Sequence, residues 1–345
     1  MKDVKKLMTV FASVAILFAC SNESSNVLEP TAPTNDVIED ELENEEAAFS
    51  FTYPLTGIGT DEQTDHRVVG VTVNNHPKAR PQSGVIDADI VYEVLSEGEV
   101  TRLIALFHSK HPERVGPVRS SRPYHIDLVN GYNGMLVTHG WSPEAEQLLT
   151  SGHADYINGL FYDGTLFKRS SDRKAPHNSY ITFDNIFEGL ESRGYELSGN
   201  VPNVLFVEDE DADIQGAEGK EIAINYLNRN YVQYMYEEET KTYERFNDED
   251  QTVDYESGKP IRLNNLFIVE AKHRVIDDVG RLSIDLDSGG KALLFQRGVA
   301  REIKWENDNG QIVPIQDGEL VPLLPGQTWI NIVPASPGIE QNVTY

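Results

Sequence analysis

Cysteine is nearly absent from this chain, with Cys20 the single copy in 345 residues. One thiol excludes an intrachain disulfide framework and any multi-cysteine zinc site. Cations are scarce too: 29 Lys and Arg stand against 56 Asp and Glu, a formal charge of −27. A field of that sign repels nucleic acid, so DNA or RNA is not an expected partner. No run of eighteen or more apolar residues occurs, which excludes a bundle of membrane-spanning helices. The phosphate-cradling patterns G-x-G-x-x-G and G-x-x-x-x-G-K-[ST] are missing, as are H-E-x-x-H, G-x-S-x-G and the EF-hand loop. His108 and His111 are three apart, but Pro112 follows and places them in a loop, so no metal and no cofactor is expected. Aromatics at 9% and charged residues at 25% are ordinary. They suffice to bury a core, and the length suggests two domains.

The first twenty residues have a clear layout. Lys2, Lys5 and Lys6 precede an apolar stretch from Leu7 to Ala19, too short to span a bilayer, as in a secretory signal peptide. Leu17–Cys20 resembles the bacterial lipobox, which makes residues 1–19 a signal peptide and Cys20 the lipidated first residue of the mature chain. Acyl chains contribute about 0.8 kcal/mol per buried methylene, enough for anchoring when two or three are present. Ser21 to Ser50 follows with nine acidic residues and no basic ones. It reads as a disordered tether, so residues 20–50 link a membrane to the folded part.

Composition divides the remainder at about residue 200. Residues 51–195 hold 13 Lys and Arg and 18 Asp and Glu, and eight of the nine histidines precede residue 196. The first part, 51–200, mixes element types. Strands are expected at 67–73, 89–95, 100–108 and 134–139, with a hairpin turn at Ser96–Glu99. Helices are expected from Pro123, from Ser142-Pro143-Glu144, and over 182–193. This is an α+β or α/β domain. The second part, 201–345, reads as short strands at 203–207, 221–227, 231–236, 266–270, 291–295, 300–305 and 329–333. That spacing argues a β-rich barrel- or sandwich-like domain.

Within an acidic protein, residues 100–125 gather Arg102, Lys110, Arg114, Arg119 and Arg122 against Glu113 alone. A second cluster, Lys168–Lys174, precedes His177 and Asn178. Guanidinium forks match carboxylate and phosphate oxygens, and loop N–H groups near a helix entry add to an anion site. The candidate ligand-binding residues are therefore Asn75, Arg80, Arg102, Arg119, Ser120, Arg122, His139, His177 and Asn178. Asp89, Glu93 and Glu97 are expected to orient the arginines, with Glu93 and His177 the weak candidates for acid–base work. The competing expectation is that the arginines pair with these acids in a buried structural network.

Several of these residues recur in a recognisable order. The segments Val73–Asn75, Ala79–Gly84, Ala88–Glu93, Glu97–Arg102, Val115–Arg122 and Ala175–Asn178 resemble the YerB-type lipoprotein family of Gram-positive bacteria. Phe295–Gly298, Trp305 and Pro325–Asn331 resemble its C-terminal domain. The resemblance implies a two-domain lipoprotein anchored to the outer face of the cell membrane, and implies no reaction. Three functions fit the residues. The first is binding of an anionic envelope glycan or lipid-linked ligand through the arginines. The second is hydrolysis or phosphoryl or glycopolymer transfer at the same Arg/His site. The third is docking of a protein partner on the acidic C-terminal domain.

Overall fold

The computed structural model describes residues 49–208, 213–226 and 230–345. The signal peptide, Cys20 and the tether up to residue 48 lie outside the described residues, as do 209–212 of the acidic loop. Residues 47–345 form one self-contained unit, strand-rich at 43% strand and 15% helix.

In the first part, continuous apolar runs become fully buried strands: β1 (Val69–Asn74), β2 (Ile90–Leu95) and β3 (Thr101–Phe107). After α1 (Pro123–Asn130) come β4 (Met135–Thr138), α2 (Pro143–Thr150), β5 (Tyr156–Asn158), the short α3 (Gly159–Tyr162), β6 (Phe167–Arg169), β7 (Ser179–Thr182) and α4 (Phe183–Ser192). Helix starts follow local chemistry. Ser142 accepts from the Ala145 N–H ahead of Pro143, and Thr182 accepts from that of Asn185. The β2–β3 hairpin turns at Glu97–Glu99, where Gly98 takes φ +75°.

The second part supplies β8 (Glu221–Tyr226), β9 (Asn230–Glu237), β10 (Thr242–Asn247), β11 (Asn265–Ala271), β12 (Gly290–Gln296), β13 (Val299–Asp308), β14 (Gln311–Gln316) and β15 (Thr328–Pro334). The expected strand at 203–207 does not form. This stretch makes one bridge, Phe206 to Leu323, and Leu205 stays exposed. The strands β10 and β14, not expected from the sequence, do form.

The two parts share one twelve-stranded sheet, whose main path runs β14-β13-β12-β11-β15-β2-β3-β1-β4-β5. Its seam is β15, from near the end of the chain, which pairs in parallel with β11 on one side and β2 on the other. Strand β1 is parallel to β4, and β4 to β5. One face packs Val69, Val71 and Val73 against Ile186 and Leu190 of α4. Further along, the same face packs Ile268 and Phe295 against Ile224 and Tyr234 of a second sheet built on β10-β9-β8. The other face carries Tyr92, Ile104 and Leu106 beneath Ile126 and Leu128 of α1 and Leu149 of α2. Alternation along β2 sends Val91, Glu93 and Leu95 to the first face and Ile90, Tyr92 and Val94 to the second.

Candidate functional site

Glu93 faces inward. Its carboxylate, 0% exposed, pairs with Arg245 of β10, also 0% exposed, at 2.8 Å. It also accepts from Thr101 Oγ1 at 2.8 Å, Asn75 Nδ2 at 3.1 Å and Trp329 Nε1 at 3.2 Å. The Arg245 guanidinium lies over the Trp329 ring. Asn75 has no capacity left for a ligand, because its Oδ1 accepts from Arg80 Nε and Gln82 Nε2. Burial, then the charge of Arg245, brings Arg80 down to about 10. This network ties β2 and the loop after β1 to β10 and β15. The sequence offered Glu93 as a base or an orienting acid beside the first arginine cluster, but its countercharge comes from 152 residues away.

Two of the three central arginines are also occupied. Glu97, at the hairpin turn, receives Arg122 through Nε and through Nη2 at 2.8 Å, and Arg102 Nη2 at 3.3 Å. Arg102 further donates to the Ser120 carbonyl, and Arg122 to the Ser121 carbonyl and the Ser120 hydroxyl. Burial pushes the Glu97 carboxyl up. The bonds from Arg122 and the charges of both arginines outweigh it and hold the group at about 2. Arg102, buried, is brought down to about 9 by burial and by Arg122. The triad pins the Ser120–Arg122 loop to the hairpin. Asp89 works elsewhere: it accepts from the His108 and Ser109 N–H groups and the Ser109 hydroxyl, closing the turn after β3. Burial raises it to about 6, partly offset by those bonds.

Arg119 stands apart. Its backbone lies across the carboxyl ends of parallel strands: the N–H donates to Thr72 of β1 at 2.8 Å, and the carbonyl accepts from the His139 N–H and Thr138 Oγ1. The half-buried guanidinium makes no hydrogen bond or ion pair among the described residues. Burial and the neighbouring Arg122 lower its pKa. Those strand ends deliver His76 and His139, and the loop ahead of β7 brings in His177. His76, two residues past β1, accepts the Lys78 N–H on Nδ1. His177 accepts Asn74 Nδ2 on its Nδ1 at 3.0 Å; the Asn74 Oδ1 is taken by the His76 N–H, which fixes the amide's orientation. Both rings, 4.6 Å apart, are therefore neutral with the proton on Nε2, and among the described residues neither Nε2–H has an acceptor. Burial lowers the pKa of each, and the charge of Arg119 lowers both further.

His139, immediately after β4, is locked differently. Arg169 can only donate, so its 3.0 Å contact makes Nε2 the lone-pair nitrogen, and Nδ1–H donates to Ser179 Oγ at 2.7 Å. The Ser179 hydroxyl receives this proton and is 1% exposed, so the pair is not an activated nucleophile. Arg169 is held by Asp163 and reaches Asn178 Oδ1. Asn178 is buried, with its amide donating to the Ser170 and Arg173 carbonyls, and shapes this loop. Gly159 sets the packing: a Cβ there would lie 2.2 Å from His139 Nδ1.

Of the sequence candidates, the structure gathers Arg119, His139 and His177 at one place, with Ser120 at its edge. Asn75, Arg102, Arg122 and Asn178 sit behind it as scaffold. Sequence reasoning missed His76, Asn74 and Ser179, and read Arg169 only as part of the second cationic cluster. The His-Pro step at 76–77, a turn start directly after a buried strand, was the available signal for His76. In parallel sheets, crevices at the carboxyl ends of strands are where ligands bind. Here the chain brings together two imidazole N–H groups and a guanidinium without a partner among the described residues, all donors, which suits an oxyanion.

The chain matches two families across these parts. Residues 55–196 match the one described as "Protein of unknown function (DUF3048) N-terminal domain", and residues 222–330 its C-terminal counterpart. It is 49% identical over 286 residues to "Putative lipoprotein YerB" of Bacillus subtilis (strain 168), covering 81% of this chain and 86% of that protein. The crystal structure of the Bacillus subtilis YerB protein superposes with a TM-score of 0.79 at 48% identity, covering 86% of this chain and all of that one. The chain belongs to the two-domain YerB family.

Proposed function

We propose that this chain is a lipoprotein, anchored through Cys20 at the outer face of the cell membrane, that binds an oxyanion of a cell-envelope ligand. The site is Arg119 with the Nε2–H groups of His76 and His177, and Ser120 and His139 shape its edge. The observation that carries this reading is the donor-only set formed by the loops after β1 and β4 and the loop ahead of β7. An unpaired guanidinium beside two neutral imidazoles, each presenting N–H, leaves charge and hydrogen-bond capacity for a phosphate or carboxylate. The leader and the named relative support the anchor. A hydrolase or transferase draws less from this geometry, because both Glu93 oxygens are taken and the His177 Nδ1 lone pair is occupied. Thermal melting of residues 47–345 in rising phosphate tests the reading. The wild type gains stability by binding linkage, and Arg119→Gln does not.

A further inference from the structure

Beside the donor set the structure exposes an apolar step. Gly140, at φ +98°, turns the chain from His139 into Trp141, and Ser121 bridges to Trp141. The Phe161 ring meets that of Trp141 edge-on at 5.6 Å. Phe161 is 61% exposed and its neighbour Leu160 56%. Both belong to α3, which starts at Gly159 against the His139 ring, so the step is fixed rigidly to the anion site. Exposed Lys168, in β6 with its ammonium on the Gly164 carbonyl, and exposed Lys174, on the loop after it, lie on the adjoining segment.

We propose that the anion this site takes is the phosphate headgroup of a membrane lipid, with Leu160 and Phe161 seated in the acyl boundary of the bilayer. The inference rests on the anion-binding reading above. An aliphatic and an aromatic side chain, adjacent and exposed beside an aromatic ring and basic residues, form the pattern of an interfacial anchor. A net charge of −27 opposes general attraction to an anionic surface, so contact depends on this local patch.

The test uses residues 47–345 with vesicles of phosphatidylcholine alone and of phosphatidylcholine mixed equally with phosphatidylglycerol, alongside melting in inorganic phosphate. The wild type sediments with the mixed vesicles. Leu160→Ser/Phe161→Ser binds them at least about tenfold more weakly yet keeps its full phosphate-dependent melting shift. Arg119→Gln loses both. A wild type that shows the Arg119-dependent phosphate shift but ignores vesicles, or that binds them as well without Leu160 and Phe161, overturns the lipid assignment alone and leaves free phosphate compounds as the ligands. Absence of any Arg119-dependent phosphate shift overturns the anion site, and the lipid assignment with it.

Discussion

Replacing Glu93 with glutamine keeps its shape and removes its charge, and this perturbation probes the joint between the two halves most severely. Arg245 would then sit at 0% exposure with no countercharge, and a guanidinium stays protonated at neutral pH. Breaking a buried pair from one side costs about 3–5 kcal/mol. Thr101, Asn75 and Trp329, which also donate to the carboxylate, face a weaker acceptor as well. With an unfolding entropy of about 2.1 cal/mol/K per residue, a unit of roughly 300 residues loses about 5–8 °C in melting temperature. Urea unfolding should show the midpoint fall with the slope unchanged. The double variant Glu93→Leu/Arg245→Met, which removes both charges, should recover only part of the loss, because Asn75 and Trp329 then lack the acceptor they had. A single Glu93→Gln within about 1 kcal/mol of wild type would refute the claim that this pair is desolvated and joins the halves.

The remaining expectations concern charge and fit. Glu97, held at about 2, contributes stability above its ordinary carboxyl range that is lost as pH falls from about 4.5 to 2. Its side chain is 16% exposed, so Glu97→Gln should flatten acid melting in that window by ~2–3 kcal/mol. His108 donates Nε2–H to the His66 carbonyl, and its buried Nδ1 lone pair has no hydrogen-bond partner. Burial and His66 therefore bring it down to about 4. Its contribution is present above about 6.5 and lost as pH falls toward 4, so His108→Asn should remove that part of the pH dependence. Gly159→Ala forces a methyl onto the His139 ring, which should cost ~1–3 kcal/mol and weaken phosphate binding.

Much of the architecture is written locally. The buried runs Val69–Val73 and Ile90–Leu95, the Ser142-Pro143 start and the apolar spacing of Phe183, Ile186 and Leu190 each name their element without help from the rest of the chain. Two things are not local. Thr328–Pro334 is a plain apolar strand, and nothing in its composition says that it pairs in parallel with Ile90–Val94 more than 200 residues earlier. The arginines look alike along the chain: Arg102, Arg119 and Arg122 share one cationic stretch, yet only folding turns two of them onto Glu97 and leaves the third open. Tyr234, Trp305 and Trp329 likewise read only as strand aromatics, and all are enclosed as core.

Calorimetric titration of inorganic phosphate into residues 47–345, comparing wild type with Arg119→Gln and Arg122→Gln, tests the oxyanion site most directly. His76 and His177 each hold Nδ1 as the acceptor of an N–H, so they meet the anion neutral through Nε2–H, and binding at neutral pH should carry no proton uptake by these rings. Arg119→Gln should fold normally and lose the binding heat, whereas Arg122→Gln should be destabilised by release of Glu97. Saturable phosphate binding in wild type that disappears in Arg119→Gln is the expected result. No binding heat in wild type, or equal binding by Arg119→Gln, would contradict the site.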